Sequence, residues 1–289
     1  MTKFGISHVA DGKSRLRWIF IASLAGGLIG ANALAVTVTL GSVKDATLIS
    51  DQLPELALGA AYSIYSGRVG TQGNSTLRRG LMQFNFSSIP AGSTVTSVQL
   101  KLYMSASQTG TQTVNLQKSL LSWGEGASFA FGGGGALAQT NDATWWNRFY
   151  PSQPWPTPGG SFSTTVSASK SIGGVGWYTW GSTTQLVADV QSWIDQPQSN
   201  FGWGVLGNEV TLQSVKRFDA KESGANNPQL IVMYSPPPAN PADVNNDGRV
   251  DGIDLAIVLS AWGTSNGQAD INDDQLVDGV DLALVLAAW

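Results

Sequence analysis

The chain has 289 residues, no cysteine, a single histidine at position 8 and only 12% charged residues. Downstream of His8 this excludes disulfide staples, thiolate or imidazole metal sites and Ser-His-Asp or Cys-His nucleophile systems. The formal charge of −4 is unevenly spread: residues 241–289 hold nine Asp against Arg249, while residues 36–240 are nearly neutral, so no basic stripe exists to displace phosphate counterions and nucleic acid is excluded as a partner.

Residues 1–35 read as a targeting segment. Lys3, Lys13, Arg15 and Arg17 precede an apolar run from Trp18 to Ala25, and small residues end in Ala33-Leu34-Ala35. This is the three-part pattern of a secretory signal peptide, with cleavage expected after Ala35. Gly26, Gly27, Gly30 and Asn32 interrupt the run, short of the ~18 apolar residues a membrane span needs. The mature chain is therefore expected to carry no membrane span, and to be secreted or held at a cell surface by its own modules.

From residue 36 to 234, short apolar alternations lie between Gly, Ser, Thr, Pro and Asn clusters. Val98, Leu100, Leu102 and Met104 alternate with Gln99, Lys101 and Tyr103, a strand with one wet face. Met82, Phe84 and Phe86 alternate likewise, as do Val114 and Leu116, and Leu230 to Tyr234 is a continuous apolar run suited to a central closing strand. Leu186, Val190, Trp193 and Ile194 instead fall at helical spacing, so one short helix is expected over residues 184–195. Together these predict an all-β sandwich or jelly roll carrying one helix. The glycine run after Phe131 is expected to be mobile, and the two Trp of Gly176-Trp177-Tyr178-Thr179-Trp180 are assigned to one face.

Ser235-Pro236-Pro237-Pro238-Ala239-Asn240 is a semi-rigid linker that sets a boundary between residues 36–234 and 241–289. After it the chain repeats itself with a 27-residue offset. Asp243, Asn245, Asp247, Asp251 and Asp254 align with Asp270, Asn272, Asp274, Asp278 and Asp281, at positions 1, 3, 5, 9 and 12 of two twelve-residue loops. Alternate residues of a tightly turning loop point inward, and hard calcium takes six to eight oxygens, so two calcium sites follow, the carbonyls of Arg249 and Leu276 completing the set at position 7. Gln275 stands where the first loop has Gly248, at a position that needs a left-handed backbone, so the second site is expected to be the weaker. The chain stops at Trp289, so the second helix is expected to be short, barely two turns.

This pattern resembles a type I dockerin, with Asp at position 12 in place of the EF-hand Glu. The resemblance implies docking onto a cohesin domain through the loop exits Gly252-Ile253 and Gly279-Val280 and one helix face. Leu255, Val258, Leu259, Trp262, Leu282, Leu284, Val285 and Leu286 are to be divided between packing and binding. The larger region is also similar to a known family. Ser75 to Leu81, Phe86 to Ser93, Trp123-Gly124-Glu125-Gly126, Asp142 to Trp145 and Lys216 to Glu222 look like the DNRLRE-type β-sandwich domain, related to carbohydrate-binding module family 96. That resemblance implies a non-catalytic extracellular module that binds polysaccharide.

Sugar recognition uses flat aromatic faces beside hydrogen-bonding groups. The loop from Trp145 to Trp155 is the candidate surface, with Trp145, Trp146, Arg148, Tyr150 and Trp155 as its residues. For catalysis, Glu125 and Asp142 are the carboxylates that could pair across a glycosidic bond, but both sit in turn-rich motifs suited to backbone bonding. Arg78, Arg79 and Arg217 are expected to form salt bridges with Asp219 and Glu222. The expected protein is thus a secreted, non-catalytic polysaccharide-binding sandwich tethered by a calcium-dependent dockerin, the alternative being a structural or adhesive surface protein with no glycan ligand.

Overall fold

The structure, a computed structural model, describes residues 34–50 and 54–289; the expected signal segment lies outside the described residues except for Leu34 and Ala35. No helix among the described residues is long and apolar enough to cross a membrane.

The strands in chain order are β1 (Val36–Ile49), β2 (Leu56–Leu58), β3 (Ser63–Arg68), β4 (Leu77–Phe84), β5 (Thr94–Ser107), β6 (Gln112–Ser119) and β7 (Ala136–Leu137). They continue with β8 (Asn147–Phe149), β9 (Gln153–Pro154), β10 (Phe162–Ile172), β11 (Gly176–Trp180), β12 (Trp203–Leu206), β13 (Lys216–Asp219) and β14 (Gln229–Ser235). One layer places β5 between β11 and β14, with β13 and β3 continuing beside β5; the other runs β10-β6-β12-β4-β1-β2-β7. Two strands belong to both layers. β1 pairs with β14 along Val36–Gly41 and with β4 from Ser42 onward, its register shifting between Ser42 and Lys44. β3 pairs with β13 through Ser66 and with β4 from Gly67. A bulge bends a strand and raises its twist, so both strands turn the corner and the domain is intermediate between a sandwich and a barrel.

Alternation sets the core. Val98, Leu100, Leu102 and Met104 of β5 are fully buried and meet Val114, Leu116, Trp203 and Phe218 from other strands. β14 is central, as its sequence suggests, pairing with β5 on one side and β1 on the other, yet its outward residue Met233 stays exposed. The expected helix, α1 (Thr184–Asp195), is present with the bounds its periodicity implies. Thr183 Oγ1 accepts from Leu186 N at 3.0 Å to cap it, and Leu186, Val190, Trp193 and Ile194 face the core. Trp193 and Trp203 meet edge to face with centroids 4.6 Å apart, a pairing worth about 1 kcal/mol beyond its area.

Three expectations change. The glycine run is tied down: Arg78 Nε donates to Gly133 O at 2.8 Å, and Gly133 lies so close to the Tyr65 ring that a Cβ would approach it to 3.0 Å. Trp177 and Trp180 lie on opposite faces, one exposed and one fully buried, because an offset of three residues in a strand reverses the side. The arginines also choose other partners. Arg79 pairs with Glu209 at 2.6 Å, Arg78 donates to backbone oxygens of the loops it joins, and Arg217 donates to Ser105 Oγ at 2.9 Å.

Beyond the linker, α2 (Gly252–Ser260) and α3 (Gly279–Ala288) follow the two loops. The second helix is ten residues long, nearly three turns where barely two were expected, against nine residues for the first. Ala242, Val244, Val258, Ala261, Ala269, Val277 and Val285 form a core that shares no residue with those of the β-domain.

Candidate functional site

The two loops fold alike. In the first, Asp243 Oδ1 and Oδ2 accept from Asp247 N (3.1 Å) and Gly248 N (2.8 Å), Asn245 Oδ1 accepts from Asp247 N, and Asp247 Oδ1 accepts from Arg249 N. In the second, Asp270 accepts from Asp274 N (3.0 Å) and Gln275 N (2.7 Å), Asn272 from Asp274 N, and Asp274 from Leu276 N. Each loop ends in a reciprocal capping box. Asp251 and Asp278 cap α2 and α3, while Asp254 and Asp281 return to the N-cap N–H groups at 2.9 and 2.8 Å. Both loops turn through left-handed residues, Asn246 and Gly248 in one, Asp273 and Gln275 in the other. Gln275 has a φ of 73°, the conformation its position requires and one that costs a side chain about 1–2 kcal/mol.

The donor set suits a hard cation. It is all oxygen, and Asp254 and Asp281 are fully buried carboxylates near the helix starts. N–H groups, first that of Asp251 and then those of Asn245 and Val244, hold the Asp254 carboxyl below the usual range against the pull of burial. Burial pushes Asp281 up, but the N–H groups of Asp278, Ile271 and Asn272 outweigh it, and its carboxyl also lies low. Both are thus charged and buried, and the sole basic side chain of residues 241–289 is Arg249. A buried charge without a counter-charge is costly, which makes a bound cation the natural complement. Among the described residues no three Asp or Glu gather closely enough to hold an ion by carboxylates alone. The loops supply other oxygens as well, from Asn245 and Asn272 and from the backbone carbonyls of Arg249 and Leu276.

The apolar residues of the helices divide cleanly. Val258 and Val285 are buried with Leu255 and Leu282 packed against them, whereas Leu259, Trp262, Leu284 and Leu286 are exposed. Gly252, Ile253, Gly279 and Val280 lie at the first turns and are also exposed. These exposed apolar residues occur on both helices of a small module and are the candidates for contact with a partner.

The aromatic loop of the β-domain is arranged differently from its sequence reading. Its hairpin, β8 and β9, pairs Asn147 with Pro154. Trp155 is only 4% exposed and donates to Thr144 O at 3.0 Å, so its ring belongs to a core cluster with Trp123 and cannot present a face to a sugar. Trp145 is half-buried under the Arg79 guanidinium, 4.8 Å from its centroid. Arg148 donates to Ser122 O and Oγ, and Tyr150 is half-buried, leaving Trp146 as the open ring of the five residues. Asn147 and Thr144 tie this hairpin to Glu55. Glu125 and Asp142 hold loops: Glu125 Oε1 accepts from Asp45 N at 2.7 Å, and buried Asp142 accepts from Gln139 N and Ser128 N.

Sequence reasoning missed another aromatic group. Tyr62, Phe129 and Phe131 form an edge-to-face ladder with centroids 5.5 and 4.9 Å apart, and Phe131 is 86% exposed. The signal was there in Phe129-Ala130-Phe131, whose alternation sets both rings on one side beside the glycine run. Compared with known proteins, no curated protein matches the chain. Residues 241–288, which carry both loops and both helices, match the family model of the dockerin type I domain, a match that does not extend to the β-domain.

Proposed function

We propose that the protein is a secreted, non-catalytic polysaccharide-binding β-domain attached by a calcium-dependent dockerin to a cohesin domain on a scaffold or cell surface. The observation that carries this is the duplicated loop-helix module, with one hydrogen-bond pattern built twice and matched over residues 241–288 to the dockerin family. Asp243, Asn245, Asp247, Asp251 and Asp254 would hold one calcium ion, and Asp270, Asn272, Asp274, Asp278 and Asp281 the other, each with its position 7 carbonyl. The metal supplies positive charge to the buried carboxylates and fixes the loops from which the helices start. Exposed Ile253, Leu259, Val280 and Leu286 support an apolar contact with the cohesin.

Polysaccharide binding by the β-domain rests on its resemblance to the DNRLRE-type fold and on its exposed aromatic rings, Trp146, Trp177 and Phe131 among them. The non-catalytic reading is supported by Glu125 and Asp142, whose carboxylates are occupied with backbone N–H groups. The test of attachment is binding of the full chain to an immobilised type I cohesin with calcium and with EDTA. Retention with calcium and release by EDTA is expected. Equal retention in both, or none in either, overturns calcium-dependent attachment to that partner.

A further inference from the structure

A cleft of about 480 Å³ opens on the β-domain between the loop after β3, the glycine run and the turn before β13. This is within the size range of small-ligand sites. Tyr65, Arg78, Gly133, Gln72, Gln108 and Gln213 define its walls and rim.

Its walls are built and not merely left over from packing. Arg78 is buried and spends Nε on Gly133 O and Nη1 on Thr76 Oγ1 (2.7 Å) and Leu77 O (2.9 Å), which locks the glycine run against the loop after β3. The Tyr65 ring backs Gly133. The β-domain has four described non-glycine residues in the left-handed region, and three of them, Asn74, Ser75 and Gln213, lie on the two loops that border the cleft. Each carries strain on the order of 1 kcal/mol, and such residues gather where a binding surface must be held in one shape.

The lining chemistry indicates the ligand class. Among the described residues no carboxylate lines the cleft, so a cation finds no complementary charge there, and Arg78 spends Nε and Nη1 on protein oxygens, which keeps those donors from the bidentate capture of an anion. The amide side chains of Gln72, Gln108 and Gln213 are exposed and have no hydrogen-bond partner among the described residues, and each offers an acceptor and two donors. Groups that both donate and accept match hydroxyls. Phe131, two residues before Gly133 on the same loop, is not part of the cleft lining and packs edge to face on Phe129, but its exposed ring lies along the loop where a chain longer than the cleft would meet an apolar C–H face.

We propose that this cleft binds a neutral, hydroxyl-rich saccharide, with Gln72, Gln108 and Gln213 as its polar contacts and Phe131, on the adjoining part of the glycine loop, as a stacking face for the chain where it leaves the cleft. This rests on the glycan-binding reading above and moves the site away from the Trp145 to Trp155 hairpin. The test is affinity electrophoresis of the full chain in gels containing mixed-linkage β-glucan, glucomannan or neutral xylan, with polygalacturonate as the anionic probe.

Retardation by a neutral polysaccharide is expected, weakened about tenfold by the double variant Gln72→Ala/Gln213→Ala and similarly by Phe131→Ala, at unchanged melting temperature. Gln108→Ala checks the opposite rim should the double variant be less stable. Retardation that is lost in Trp146→Ala and kept in the cleft variants overturns the proposal but leaves glycan binding standing. Retardation by polygalacturonate alone overturns the neutral ligand. No retardation by any probe overturns the glycan reading and the proposal together.

Discussion

Asp45 sits where three segments of the β-domain cross. Its N–H donates to Glu125 Oε1, its Oδ2 accepts from Lys221 N at 3.0 Å, and Lys221 Nζ reaches both Glu125 (3.2 Å) and Glu222. Burial pushes its carboxyl up to about 7; Glu222 and Glu125 add to that rise, while Lys221 opposes it through both its N–H and its charge. Lys44, next to Asp45 in the chain, instead lies over the Trp123 ring. A carboxyl raised in the folded state is neutral and harmless below its unfolded value near 4, and becomes a buried charge as pH climbs through 7. Stability should therefore fall between about pH 4 and pH 7 on its account. Asp45→Asn is expected to match the parent near pH 4 and to exceed it at pH 8 by on the order of 1–3 kcal/mol. Urea denaturation of the β-domain at the two pH values measures this, and an equal difference at both would refute it. Lys216 is another buried ion, fully enclosed with Nζ donating to Ser107 Oγ (2.5 Å), Thr109 O (2.9 Å) and Gly110 O (2.6 Å). Lys216→Met keeps the stem but takes a donor from Ser107 Oγ, Gly110 O and Thr109 O, the last of which keeps only its bond from Ser107 Oγ, so a loss of about 1–3 kcal/mol is expected by the same denaturation.

At the scale of elements, what the sequence reveals depends on whether a signal is local. α1 is legible to the residue because Leu186, Val190, Trp193 and Ile194 mark one face and Thr183 supplies the cap. The two loops are legible because each pattern of oxygen side chains lies within twelve residues. Strand order is not, since pairing joins residues far apart: nothing near Ser42 announces that β1 leaves β14 there and joins β4. The same distance hides the fate of Trp155, whose burial depends on Trp123 and Leu48. Gln275 illustrates a local signal with a measurable outcome. It holds a left-handed φ like Gly248 in the first loop, so Gln275→Gly is expected to relieve about 1 kcal/mol and tighten the second calcium site about fivefold. Calorimetric titration of calcium into the full chain would register this. An unchanged or weaker second site would show that the strain is not what limits it.

Over the whole chain, composition and structure assign two different sources of stability. The β-domain buries large apolar residues, including Trp123, Trp180, Trp193 and Trp203, and needs no staple to do so. The C-terminal module has a core of small residues, Ala242, Val244, Val258, Ala261, Ala269, Val277 and Val285, beneath loops that carry nearly all of its nine Asp. Domains of this size seldom stand on such a core alone. Without a cation the loop carboxylates repel one another and Asp254 and Asp281 are buried with N–H groups but no counter-charge beside them, so metal binding and folding of the module are one equilibrium. Since the cores share no residue, that equilibrium should leave the β-domain untouched. Differential scanning calorimetry of the full chain is expected to give two transitions in calcium. Adding EDTA should abolish the module's transition at its calcium-loaded temperature and shift the β-domain's by no more than a degree or two. A single transition that moves as a whole with EDTA would mean that the two regions unfold as one, and the tether could not then be lost without its cargo.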